Sequence, residues 1–340
     1  MGKLTIPKQR VSQKRPVIHH LNGDTSWLVQ IPRTNTTNGR TYFNILIDPW
    51  FVGHEIATSA WLHEQEHTVP PAVRTIEELE AFLQEVEQQH ALSGKKVKGQ
   101  LHAVAILIDL EDHCHKQTLT QVSPEVPVFA LERSAKLIRS WKHFDSVTTV
   151  PFWMEGSDWK ANSVLVSDDA KIRLSGLRQP SDASHLHYGF SLSFNLFGAK
   201  DEAAIEAIVY TPHGIPAHNL QHVPTASPPL NILALLQAWG NVKFGLNPKS
   251  TYTSSVSLDV VLGAVHALRA QEVLRAKYLV STHDELKIEK GFTSHFLWRH
   301  QYSLQEAIEA SGIGREVESV SMDSGEHRML LANDGEAAAR

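Results

Sequence analysis

Asp112, His113 and His115 stand just beyond the apolar, β-branched run of LHAVAILIDLEDHCHKQTL, residues 101–119. Short carboxylate and imidazole side chains at a strand end are held in register by a rigid sheet. That placement suits them to ligate a metal ion or to pass protons. Two later segments repeat the arrangement. His213 follows the strand-like AIEAIVYTP, and His283 and Asp284 follow KYLVS. These places are far apart in the chain, so they form one site only if the sheets bring their edges together. Cys114 is the only cysteine, which excludes an intrachain disulfide and a cysteine-rich zinc site. Between two histidines it reads as a nucleophile or, the commoner fate, as a small buried filler.

The elements that must position these residues are legible in the pattern. TSWLVQI and YFNILI, separated by turn chemistry, read as a hairpin or meander, the second strand ending at Asp48-Pro49. Residues 75–91 place Ile76, Leu79, Phe82, Leu83 and Val86 at helical spacing, with Thr75 as N-cap and Glu78 three residues on. VPVFAL predicts a strand and ERSAKLIRSW a helix. FDSVTTVPFW, NSVLVS, KIRLSG, GFSLSFNLF and AIEAIVYTP predict a succession of strands. LNILALLQAWG predicts a helix, VKFGL a strand and residues 257–276 one long helix. Strands in both halves, with helices between, suit an α/β fold of two facing sheets covered outside by helices, a four-layer αββα sandwich.

The chain has 340 residues, 42% apolar and 20% charged, with a formal net charge of −5. This balance gives no electrostatic reason to expect nucleic acid or an anionic membrane as partner. No run of about eighteen apolar residues predicts a membrane span. Residues 1–16 are basic and polar without an apolar signal core, so they read as a flexible arm and the setting as cytoplasmic. A single domain over 17–310 and a polar C-terminal tail over 311–340 complete the expected organisation. The expected partners are a small-molecule substrate and, on base rates, a second copy in a homodimer. Trp50, Trp61, Trp153 and Trp159 fall near loops, where they pack in the core or, less often, wall a pocket.

HLNGDTSWLVQ, NILIDPWFVG, EDHCHKQTL, YTPHGI and SLDVVLGAVHALRAQEVLRAKYLVSTHDELKIEKG together resemble the metallo-β-lactamase superfamily, in particular its fungal lactonase-like branch. The resemblance spans roughly residues 20 to 300. It implies the αββα sandwich with a metal site at one edge of the two sheets. The family's H-x-H-x-D-H motif falls on Ile108 to His113, so Ile108 and Leu110 stand where its first two histidines would, and neither binds metal. The resemblance thus leaves a reduced site, one divalent ion held by Asp112, His113, His283 and His213, the last standing where the family often has a bridging carboxylate. Zinc is the first expectation and manganese or iron the next; a metal-free site is the alternative. His185 and His187 are loose candidates to replace the family's third first-site histidine.

These readings lead to a metal-dependent hydrolase of a small lactone, ester or related bond. Asp112 would orient or deprotonate water, and His213 would ligate or shuttle protons. The alternatives are a non-hydrolytic acid/base enzyme (a lyase, isomerase or cyclase) and a catalytically silent binding protein on the same fold. Asp112 has a structural reading as well, as the cap of a helix begun by HCHKQTL.

Overall fold

Alternation along the strands divides their side chains between separate cores. In Trp27–Pro32 the residues Trp27, Val29 and Ile31 face one way and Leu28 the other; in Tyr42–Ile47, Ile45 and Ile47 oppose Leu46. Ala103 and Ala105 oppose Val104 and Ile106 in the same manner. Both faces are apolar, so both must be covered, and these strands are buried throughout their length.

The computed structural model describes residues 4–6, 14–35, 40–56, 61–90, 99–197, 205–245, 257–313 and 318–332. Two seven-stranded sheets carry the fold. The first runs in the order His327–Met329, Val17–His20, Trp27–Pro32, Tyr42–Ile47, Ala103–Ile106, Val128–Ala130, Val147–Thr149. The second runs Glu318–Val320, Tyr278–Ser281, Asn231–Gln237, Glu206–Thr211, Tyr188–Phe194, Ile172–Arg178, Val164–Ser167. Ile18, Trp27, Val29, Phe190, Leu192, Tyr210 and Leu236 fill the space between them. On the outer face of the first sheet lies α1 (Ile76–His90), with Ile76, Leu79, Phe82, Leu83 and Val86 packed inward as their spacing predicts. Thr75 Oγ1 accepts the Glu78 N–H at 3.1 Å and caps it. The short α2 (Lys116–Leu119) and α3 (Glu132–Ser140) cover the same side. On the outer face of the second sheet, α4 (Gly263–Leu274) buries Ala264, Ala267, Leu268 and Leu274, and α5 (Leu304–Ser311) adds Ala307. This is the expected αββα sandwich.

Three sequence expectations are corrected. LNILALLQAWG forms the strand Asn231–Gln237, held between parallel neighbours on both sides. A continuous apolar run buried on both faces shows neither helical nor strand period, and only the sheet decides it. Residues 257–276 split into the strand Ser257–Leu262 and α4, parting at Gly263, whose φ of 68° suits glycine; an added Cβ would meet the backbone of Asn241 at 2.9 Å. Residues beyond 311 are more than a polar tail: Glu318–Val320 extends the second sheet, His327–Met329 extends the first, and Leu330 is buried between them. Much of the expected N-terminal arm lies outside the described residues, while Leu4 packs beneath α1 and Pro16 accepts the Leu330 N–H.

The parallel strands Tyr42–Ile47 and Ala103–Ile106 in one sheet, and Glu206–Thr211, Asn231–Gln237 and Tyr278–Ser281 in the other, point their C-terminal ends to one rim. Loops leaving that rim are where open α/β sheets place ligands. Two three-stranded sheets stand over it: Asn241–Gly245 with Ser257–Leu262 and Leu297–His300, and Glu64–Glu66 between Glu55–Ile56 and Ile288–Lys290.

Leu330→Ala is expected to cost about 2–5 kcal/mol in urea unfolding, the range for truncating a buried leucine; an unchanged midpoint would return residues beyond 311 to the status of a tail. Burial holds His19 and His102 at a pKa of about 3 and His115 at about 4, so each stays neutral in the folded chain. The unfolded chain therefore binds more protons below about pH 6.5. Stability is expected to fall from pH 6.5 towards pH 4, by up to about 1.4 kcal/mol per pH unit for each histidine. Urea midpoints at pH 7, 6 and 5 check this, with a shallower slope in His19→Gln.

Candidate metal centre

Every sequence-predicted ligand arises just past a strand end on the shared rim. Asp112 and His113 sit in the turn after Ala103–Ile106, His213 follows Glu206–Thr211, and His283 follows Tyr278–Ser281. His283 has φ 59°, and Asp48, at the end of Tyr42–Ile47, has φ 41°. A non-glycine residue in the left-handed region carries a backbone cost of about 1–3 kcal/mol, which surrounding contacts must sustain.

Each imidazole has such contacts. Nδ1 of His113 donates to Asp48 Oδ2 at 2.7 Å, and that carboxylate is fixed in turn by the Leu107 N–H and the Tyr210 hydroxyl. Nδ1 of His213 donates to the Val260 carbonyl at 2.9 Å. Nδ1 of His283 donates to Asp24 Oδ1 at 2.7 Å. Since a carbonyl and an ionised carboxylate only accept, all three rings carry a proton on Nδ1 and turn Nε2 towards the site. The three Nε2 atoms converge: those of His113 and His213 are 3.1 Å apart, and the trio lies within 4.8 Å. Asp112 adds a carboxylate, Oδ1 at 3.9 Å from His113 Nε2 and Oδ2 at 3.7 Å from His283 Nε2. Its Oδ1 is buried without a hydrogen-bond partner.

The donor set fits a divalent ion. Two nitrogens bonded to zinc at about 2.0–2.1 Å with tetrahedral spread lie about 3.3 Å apart, close to the separation seen here. Imidazole nitrogens with one carboxylate oxygen are ordinary zinc ligands, and Asp24 behind His283 and Asp48 behind His113 hold the Nδ1 proton and aim the ring. Three buried carboxyl groups, Asp24, Asp48 and Asp112, lie around the site with one buried ammonium, Lys287, whose Nζ lies 2.7 Å from Asp24 Oδ2 and 3.3 Å from Asp112 Oδ2.

Electrostatics follow from this crowding. Burial would raise the pKa of Asp24, but His283 and Lys287 outweigh it and hold the carboxyl well below the usual range. Asp112 is likewise lowered, burial being overcome by His113, Lys287 and His283. Burial raises Asp48. His213 is pushed well below the ordinary histidine value by burial and by the neighbouring imidazoles, which keeps it neutral. Burial also lowers His283, although Asp24 opposes the shift. For His113 burial is outweighed by Asp112 and Asp48, so its pKa rises, as Lys287's does beside Asp24 and Asp112.

A cavity of about 290 Å³ opens over the cluster, with Asp112, His213, His283 and Lys287 at its polar end and Leu110, Val242 and Val260 among its apolar walls. Glu55 also faces it, 4% exposed, its Oε2 without a hydrogen bond but 3.9 Å from His63 Nε2, and its pKa raised to about 8 by burial and by Asp112. Ile108 is packed between the sheets, and Leu110 has become cavity wall.

The structure separates the other candidates from the site. His185 bonds Tyr188, and His187 spans the Gly214 and Asp259 carbonyls beside a different cavity, so neither replaces a ligand at the rim. His115 bonds Thr118 Oγ1 and faces away. Cys114 is buried under α1 with its thiol pKa raised by burial, a filler and no nucleophile. His115, not Asp112, occupies the N-cap of α2. Asp284 accepts the Trp239 and Gly240 N–H groups, and Glu285 holds His67 and the backbone of Thr68 and Val69. Trp50, Trp153 and Trp159 are buried and Trp61 is exposed; none walls the cavity. Asp24, Glu55 and Lys287 were not singled out from sequence. Asp24 and Lys287 lie inside segments that carry the family resemblance, but no spacing ties either to the histidines.

Asp24→Ala leaves the Nδ1 of His283 unpaired and strips Lys287 of its nearer carboxylate. It is expected to destabilise the fold by about 3–5 kcal/mol in urea unfolding, with Asp24→Asn milder. A loss under about 1 kcal/mol would show that this network does not join the two sheets.

No family model and no curated protein matches the chain. Among solved structures it is similar to a possible metal-dependent hydrolase from Veillonella parvula, with 12% identity, 93% of this chain and 100% of that one covered, and a TM-score of 0.56. It is also similar to the isothiocyanate hydrolase from Delia radicum gut bacteria, with 14% identity, 93% and 100% coverage, and a TM-score of 0.53. Likeness at this identity is likeness of architecture, here the αββα sandwich of two seven-stranded sheets covered by helices.

Proposed function

We propose that this protein is a metal-dependent hydrolase of a small-molecule lactone, ester or related bond, using one divalent ion held by His113, His213, His283 and Asp112. One observation carries the reading: three imidazoles, their Nδ1 protons already committed, bring their Nε2 atoms together beside a carboxylate oxygen that has no hydrogen-bond partner. The two similar structures, a possible metal-dependent hydrolase and an isothiocyanate hydrolase, support the same class.

A divalent ion in this donor set polarises an electrophilic oxygen and acidifies water. The chain's own residues do the rest. Asp112, which lines the cavity and whose Oδ1 has no hydrogen-bond partner, orients water there. Asp48 and Asp24 hold His113 and His283 in one tautomer and one orientation. Lys287 fixes the other oxygen of Asp112 and supplies a permanent positive charge at the polar end of the cavity. Glu55, carrying its proton near neutral pH, donates to the departing oxygen. The apolar walls keep bulk water away from these groups.

A second reading is favoured by the 3.1 Å separation of His113 and His213, which is also hydrogen-bond distance. A proton shared there makes a metal-free acid/base pair suited to a lyase or isomerase.

Metal analysis of untagged protein separates the two. About one zinc, manganese or iron per chain is expected, lost in His113→Ala and His283→Ala, with turnover of aryl esters or simple lactones abolished by chelation and restored by metal. Metal-free protein that folds normally would overturn the first reading in favour of the second.

A further inference from the structure

The apolar side of the cavity continues onto the surface. Phe244, a cavity wall, is itself 37% exposed. Its ring lies 6.0 Å from that of Phe296, and Phe296 lies 5.3 Å from Phe292, which is 59% exposed. The Phe292 N–H donates to the carbonyl of Trp61, another outward-facing aromatic. The rings therefore make a file from cavity wall to solvent, at spacings usual for aromatic pairs. Single exposed apolar side chains need no explanation, but a contiguous strip marks a binding surface. The two lining cations are taken: Arg299 is paired with Glu289, and Lys287 with Asp24 and Asp112. An uncharged hydrocarbon thus suits this side better than an anionic group does. The cavity, at about 290 Å³, lies at the small end for a ligand site, so a longer substrate must extend out of it.

We propose that the file Phe244, Phe296 and Phe292 binds the hydrocarbon tail of the substrate, whose polar, hydrolysable head sits over Asp112, His213 and His283. This names the substrate class for the site and rests on the hydrolase reading only for what happens to the head. The continuity of the strip with the cavity favours a substrate tail over a macromolecular partner, because a partner seated there would cover the cavity mouth.

The test is binding, not turnover. Affinities of n-hexanol, n-octanol and n-decanol are measured by titration calorimetry for the parent chain, Phe244→Ala, Phe292→Ala and His283→Ala, each checked by urea unfolding. Affinity is expected to rise about threefold to fourfold per methylene in the parent, the increment for burying hydrocarbon. The increment is expected to flatten in Phe244→Ala and Phe292→Ala and to persist in His283→Ala. No increment in the parent, or the same increment in both phenylalanine variants, would overturn the proposal. So would a parent dimer in sedimentation that Phe292→Ala dissociates, which would assign the strip to self-association. Chain-length dependence without turnover of any ester would leave the tail site standing and remove the hydrolase reading; turnover without chain-length dependence would do the reverse.

Discussion

Two imidazole nitrogens 3.1 Å apart need a positive centre between them, a metal ion or a shared proton. Here the alternative of turning a ring around is closed. His113 is pinned by Asp48 and His213 by the Val260 carbonyl, and both rings are fully enclosed. The rest of the site can be read as the apparatus that keeps this arrangement in place. Carboxylates behind the rings fix the tautomers, Lys287 balances part of their charge, and the strand ends carry the backbone cost of two left-handed residues. Desolvated charges of this kind are costly when partnered poorly. Their concentration at one rim is therefore a sign of chemistry, not a general device for stability.

The same contacts join the two halves of the sandwich. Asp24 sits in the turn between the first two strands of one sheet, yet its carbonyl accepts the Thr282 hydroxyl and the His283 N–H from the other. Trp27 donates from its indole to Thr282 across the inter-sheet core, and Tyr210 reaches from the second sheet to Asp48 on the first. Thr25 binds the carbonyl of Asp112, tying the ligand turn to the same loop. Packing between the sheets fixes their distance, and these polar ties fix their register at the rim. The geometry of the site is thus a product of the interface and not of either sheet alone.

Local pattern reached far into the fold where one face of an element is apolar and the other wet. The helix from residue 76 shows its buried stripe directly, and YFNILI and KYLVS announce strands with turn chemistry beside them. Asn231–Gln237 defeated that logic because it is covered on both faces, and residues beyond 311 did so because short edge strands leave little period to read. At the site, Asp112, His113, His213 and His283 could be picked out as ligand-type residues following strands. The polar groups that surround them could not. Asp24, Glu55 and Lys287 are polar residues in polar stretches, and nothing local distinguishes a buried carboxylate from a solvated one.

Residue types alone supply the inventory: one lone cysteine, a few carboxylates and imidazoles placed after apolar runs, and enough alternating strand to build two covered sheets. They also settle that Ile108 and Leu110 bring no ligand atoms, since neither side chain has a lone pair. Which histidines meet, which nitrogen each presents, and that His185, His187 and Cys114 belong elsewhere emerge with the packing of the folded chain. The reason is that ligation depends on directions and distances of a few ångströms between residues up to a hundred and more positions apart. Those are set by how two sheets pack, and no short stretch of chain encodes that.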